Sequence, residues 1–208
     1  MSAHSPIDAG RVEWAGDNPG IYLKDSSDGD WSRLALYFRV VLSPTGPGKA
    51  MLVLNSPDRN DGVAAGNVCI TDNVPLVKYL TDGFIGRFPT FRNRQGLAAM
   101  TTLKLASSET IAGEDSYVEI VRAEGLSLTM TWTGLGTPFA VAVDPRESAT
   151  GSHRMYSTFR QASGARVCID DRVLDGAVVS RPFFGIAMSS AFLAFSEIWI
   201  SPAGADEG

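Results

Sequence analysis

Large apolar residues recur at every second position through much of the chain, which is the period of a β-strand. In Leu34-Ala35-Leu36-Tyr37-Phe38-Arg39-Val40-Val41-Leu42 every even position is large and apolar. The cleanest case is Leu126-Ser127-Leu128-Thr129-Met130-Thr131-Trp132-Thr133, where four apolar residues alternate with four polar ones. That pattern predicts an antiparallel strand with one dry face and one wet face. Residues 97–105 alternate in the same way through Ala99, Thr101 and Leu103. Further strands are predicted over 21–24, 49–55, 67–71, 117–122, 139–143, 153–162, 165–170 and 191–200. Turn chemistry separates them: Ser43 to Gly48 is rich in Pro and Gly, and Ala123-Glu124-Gly125 and Ser163-Gly164 are short enough for hairpin loops. Asp170-Asp171 also reads as turn chemistry.

One segment breaks the pattern. From Val74 to Phe84, Leu76, Val77, Leu80 and Phe84 fall at helical spacing. Asp72 or Asn73 can cap its start, Pro75 fits a first turn, and Gly83 or Gly86 can end it. Such a helix either plugs one end of a barrel or covers a sheet edge. Alternation resumes after every Pro/Gly-rich stretch, so residues 1–208 read as a single domain, with 1–10 and 202–208 frayed. Strands at roughly ten-residue spacing predict a mostly β fold, an antiparallel barrel or a bent sandwich with one inserted helix at about 74–85.

Composition narrows the function classes. The 208 residues are 44% apolar and 20% charged, with a net charge of -5, which excludes disorder and leaves enough chain for a core without staples. Two cysteines cannot form a disulfide framework, and Cys69 and Cys168 read as reduced, buried thiols in strands, with a Cys69–Cys168 disulfide as the alternative. Residues 1–104 hold 11 basic and 10 acidic groups, and 105–208 hold 7 and 13. No basic footprint for nucleic acid results. The opening MSAHSPIDAGRVEW lacks the basic and apolar regions of a secretory signal. No run approaches the roughly 18 apolar residues of a membrane helix. A cytoplasmic protein without membrane or nucleic-acid partners is expected, and pairing into a homodimer stays open.

Several chemistries lack their motifs. The two histidines, His4 and His153, come without a Cys/His cluster, so no metal site is expected. There is no Gly-x-Ser-x-Gly elbow, Thr45-Gly46-Pro47-Gly48-Lys49 departs from a phosphate loop, and Gly134-Leu135-Gly136 has no βαβ setting. No cofactor is expected.

Glu197 is the most informative residue. Alternation over 191–200 groups it with Leu193, Phe195 and Trp199, so it sits on an apolar face of a strand that is apolar on both sides. Desolvation raises the pKa of such a carboxyl unless a cation pairs with it, and a raised carboxyl is a general acid or base near neutral pH. The alternative is a Glu paired with one of the many arginines or facing solvent. His153 opens a strand and is a candidate acid/base group, with Tyr156 or His153 as a hydrogen-bonding partner of Glu197, although the polar loop beside His153 favours a surface residue. Arg154, Tyr156, Thr158 and Arg160 share one face, either a strip that holds an anionic substrate group or a solvated face. Trp132, Trp199 and Phe195 are candidates to line an apolar cavity or to fill a core. Residues 86–94 mix three Arg with two Phe, for anion binding or as a solvated loop with its Phe tucked inward.

About a dozen strands in roughly 200 residues, an inserted helix and a Glu-bearing last strand resemble the lipocalin-like bacterial β-barrel proteins related to carotenoid hydratases. The resemblance is one of architecture, and no motif carries a residue across. It implies a barrel around an apolar ligand and hydratase, cyclase or isomerase chemistry. The expected function is therefore binding of a small apolar or aromatic molecule, with cofactor-free lyase, isomerase or hydratase chemistry at Glu197. Two rivals remain: a non-catalytic interaction module, with a filled core and Glu197 in a salt bridge, and a jelly-roll carbohydrate binder, with Trp14 and Trp31 exposed on one platform.

Overall fold

The computed structural model describes residues 8–203, apart from the side chains of residues 63 and 65. His4 and most of the expected frayed ends lie outside the described residues. In chain order the elements are β1 (Gly10–Asp17), β2 (Gly20–Leu23), β3 (Arg33–Leu42), β4 (Gly48–Leu54), β5 (Asn67–Thr71), α1 (Val74–Gly83), α2 (Gln95–Ala98), β6 (Thr101–Lys104), β7 (Ser107–Ala112), β8 (Ser116–Ala123), β9 (Leu126–Leu135), β10 (Phe139–Val143), β11 (Arg154–Ile169), β12 (Arg172–Val173), β13 (Ser180–Phe183), β14 (Ile186–Ser189) and β15 (Ala191–Pro202).

Thirteen of these strands form one sheet whose backbone order is β6-β5-β4-β3-β1-β15-β11-β9-β8-β7. The order does not close on itself, so of the two expected architectures the sandwich forms and the barrel does not. The sheet folds so that its two halves face each other. Tyr37, Met51, Val53 and Ile70 of the first half share a core with Val121, Leu128, Met130 and Trp132 of the second. The opposite face of the first half, with Leu36, Phe38 and Leu52, is buried under α1 and the aromatic segment after it. Double coverage explains why β3 is apolar at nearly every position, whereas β9 keeps Thr129, Thr131 and Thr133 off the core face.

Helix α1 forms where its spacing places it. The Asn73 side chain accepts the Leu76 N–H at 3.0 Å, Pro75 lies in the first turn, and Leu76, Val77 and Leu80 are buried. Two expectations fail. Residues 97–105 are not one strand, because Leu97 belongs to α2 and only Thr101–Lys104 pairs, parallel to β5. Ser163-Gly164 is not a hairpin loop. Strand β11 runs through it, leaving β10 and β15 to pair with β9, with Gly164 opposite Thr133. The Glu124-Gly125 and Asp170-Asp171 turns form as expected. Cys69 and Cys168 are free thiols. Among the described residues no helix is long and apolar enough to cross a membrane.

A β-bulge in β15 positions the site. Phe195 pairs with Thr158 and Ile198 with Tyr156, so Ser196 and Glu197 together face Ser157. Ser196 takes a left-handed φ of 52°. Its freed N–H donates to Asp17 Oδ1 at 3.0 Å, and Arg39 in turn holds Asp17 Oδ2 at 3.1 Å. On the other side Gly16 pairs with Glu197, and a Cβ at Gly16 would stand 2.1 Å from the Arg39 carbonyl oxygen. The extra residue reverses the alternation. Phe192 and Ala194 share a core with Trp199, while Leu193 and Phe195 face the other core. Glu197 therefore keeps Trp199 as its neighbour and loses Phe195.

Because a left-handed backbone strains a β-branched residue, Ser196→Gly should keep or raise the urea midpoint. Ser196→Val should lower stability by about 1–3 kcal/mol. Equal midpoints for the two variants in urea titrations would show that position 196 does not need this conformation.

Candidate active site

Glu197 opens into a cavity of about 360 Å³. The body of the cavity is aromatic and apolar, with Tyr22, Met155, Phe159, Phe192 and Trp199 on its walls. Three segments frame the mouth: residues 88–92 after α1, the polar loop 147–151, and residues 181–184 of the β13–β14 hairpin. That hairpin turns on Phe184 and Gly185, both at positive φ, the geometry of a type I′ turn.

Three glutamates are almost fully buried, and they differ in their partners. Glu119, 0% exposed, accepts from Arg39, Tyr117 and Thr110. Glu13, 5% exposed, is buried too, but hydrogen bonds from Ser201, Tyr79 and Arg11 outweigh burial and hold it below the ordinary carboxylate range. Glu197, 3% exposed, has no cationic partner among the described residues. Trp199 Nε1 donates to its Oε1 at 2.6 Å and Asn18 Nδ2 to the same oxygen at 3.4 Å. Burial pushes its pKa from 4.5 up to about 7. The hydrogen bonds from Trp199, Asn18 and Ser157 oppose that shift, and the Asp17 charge adds to it. Asn18 Oδ1 is buried beside it with no hydrogen-bond partner.

The other candidates scatter. Of the residues singled out from the sequence, Trp199 joins Glu197 at the cavity, with Phe88 and Arg92 of the 86–94 segment at its mouth, and the rest lie elsewhere. Tyr156 and Arg154 are on the opposite face of β11, where both bind Asp8 and Arg154 also meets Asp144. Arg160 clamps the carbonyls of Gly136 and Glu114. None of these three can hold a substrate group against Glu197. The cavity face of β11 is the other one, with Met155, Ser157 and Phe159. His153 is half-buried, 4.8 Å from the Phe84 ring and 2.9 Å from Thr150 Oγ1, and burial pulls its pKa below the ordinary imidazole value. It reaches Glu197 only by way of the Trp199 ring, 6.3 Å away. Trp132 is sealed between the two sheet halves and donates to the Gly20 carbonyl. Phe195 packs on Tyr117 in the same core. Trp14 is fully buried and Trp31 half-buried, so no exposed tryptophan platform exists.

Within residues 86–94, Phe88 and Phe91 tuck inward, Arg94 pairs with Asp30 and Asp58, and Arg92 stands exposed at the mouth. Sequence reasoning missed Arg181, Asn18 and Tyr22. Arg181-Pro182-Phe183-Phe184-Gly185, an arginine beside aromatics and a turn glycine, was the available signal. Among the described residues no group of three or more His, Cys, Asp or Glu is arranged to hold a metal ion. No protein-family model matches the chain, and neither does a curated protein or a solved structure.

The folded protein holds the Glu197 proton more tightly than the unfolded chain does, so stability should fall as pH rises from 4.5 to about 7 and then level off. The fall attributable to this group is about 3 kcal/mol. Glu197→Gln removes it. In urea titrations the variant should gain on the native protein by about that amount between roughly pH 4 and pH 8. A constant difference across that range would place the Glu197 pKa near its ordinary value.

Proposed function

We propose that this protein binds a small, largely apolar or aromatic molecule in the cavity and acts on it by cofactor-free proton transfer. The supporting observation is Glu197: a buried carboxyl without a cationic partner among the described residues, opening into an aromatic cavity, with its pKa near neutrality. At about 7 the group is half protonated at neutral pH, the condition under which one residue can both give and take a proton. Trp199 and Asn18 orient the carboxyl through Oε1, and the carboxyl exchanges its proton with the ligand. The reaction class is addition of water across a double bond, its reverse, or migration of that bond. In a hydration, Glu197 gives its proton to one carbon, water bonds to the other, and the proton lost by that water returns to Glu197. The filled core and salt-bridged acid of an interaction module find no support at Glu197.

Two measurements test this reading. The neutral fluorophore 6-propionyl-2-dimethylaminonaphthalene should bind with blue-shifted emission. Ala149→Trp, which fills the mouth from a loop, should weaken it roughly tenfold or more. Native mass spectrometry of the purified protein should show a bound apolar molecule. In deuterium oxide that molecule should acquire deuterium about 10²–10⁴ times more slowly with Glu197→Gln. Exchange at the native rate in that variant would sink the proposal.

A further inference from the structure

Arg181 is a second charged group on the cavity wall, and among the described residues no acid answers its charge. It lies between three rings, with the guanidinium carbon 5.4 Å from the centroid of Tyr22, 5.1 Å from Phe183 and 5.2 Å from Phe192. Its Nε is buried without a hydrogen-bond partner. No carboxylate among the described residues forms an ion pair with it. The ionisable neighbour it feels is the Tyr22 phenol, and burial makes its charged form costly. Other arginines here do have acids: Arg39 has Asp17 and Glu119, Arg94 has Asp30 and Asp58, Arg154 has Asp8 and Asp144. Aromatic faces compensate a cation only in part, and they leave its buried Nε–H unused. A desolvated cation without a partner is expensive to keep unless something else supplies the anion.

Glu197 does not supply it. Arg181 is absent from the groups that set the Glu197 pKa, which is raised rather than lowered. Tyr22 feels both: burial pushes its phenol up to about 12, the Arg181 charge pulls it down and the Glu197 charge pushes it up. Tyr22 thus lies within electrostatic reach of both polar stations of the cavity. At the Glu197 station Asn18 Oδ1 still lacks a donor.

We propose that the natural ligand is an aromatic or unsaturated monocarboxylate, its carboxylate forked onto Arg181 and its far end, carrying a hydroxyl in one of its forms, at Glu197 and Asn18. This rests on the reading of the cavity as an apolar binding site. A planar guanidinium takes a carboxylate through two parallel hydrogen bonds. The aromatic walls between the stations take the body of the molecule. The ligand hydroxyl gives Asn18 Oδ1 its missing donor, and it sits where water added with the help of Glu197 would remain. Arg92 and Glu147 at the mouth are both exposed, so they add little discrimination.

Matched pairs of probes test this by calorimetry: 4-hydroxycinnamate against 4-hydroxycinnamamide, and 4-phenylbutyrate against 4-phenylbutanamide. Each carboxylate should bind the native protein at least roughly tenfold more tightly than its amide. Arg181→Met should bring the carboxylate down to the level of the amide and leave the amide unchanged. Arg181→Lys should keep part of the preference. Amides that bind as tightly as carboxylates to the native protein would overturn the role of Arg181 and leave the apolar site standing. Failure of both members of both pairs would overturn the site as well. Inorganic phosphate competing as strongly as 4-hydroxycinnamate would replace the organic ligand with a simple anion. The native comparison decides the matter even where a variant does not fold.

Discussion

A one-residue slip in the pairing of β15 with β11 decides which side chains meet in the cavity. Without the bulge at Ser196, strict alternation would set Glu197 beside Phe195, in the core between the two sheet halves. A carboxyl sealed there would have no exit for its proton. With the bulge it turns to the outer face and joins Phe192 and Trp199. The left-handed residue and the freed N–H are both costs, and Asp17 and Arg39 meet them by hydrogen bonding and charge. Arg39 also reaches Glu119 of β8, so one guanidinium ties the strand that carries the bulge to the opposite half of the sandwich.

Much of this fold follows from the alternation alone. Strand β10 ends where the pattern ends, α1 starts at the residue that can cap it, and β9 keeps its threonines off the core. Pattern reading failed where backbone geometry overrides it. Ser163-Gly164 looks like a loop, yet the strand continues because β11 must cross from one half of the sheet to the other. The bulge leaves no trace, since serine is not a residue that announces a left-handed conformation. The apolar face of β11 was legible, but the charged face drew the ligand-binding assignment. Arg154 and Tyr156 spend their hydrogen bonds on Asp8, a residue far away in sequence. Arg181 lies where periodicity is weakest, between short strands, and only the folded chain shows that its neighbours are rings rather than acids.

The buried acids show how differently one sequence treats the same functional group. Glu13 and Glu119 are stitched into place by several donors, including arginine, and they join elements that are far apart in the chain. Such groups hold a fold in one arrangement. Glu197 gets an indole, an amide and the Ser157 hydroxyl, enough to orient it but without the arginine that the other two have. Burial costs of this size persist where function needs them. The contrast identifies the site more sharply than the identity of any single residue.

The hydrogen bond from Trp199 to Glu197 has an optical consequence. The indole N–H ends 2.6 Å from the oxygen whose charge changes, and the ring is stacked against Phe88 and Trp14. A negative charge that comes and goes beside an immobilised indole perturbs its excited state. The protein thus carries a built-in chromophore whose emission follows the protonation of Glu197, so titration of the acid is readable in native fluorescence without any label.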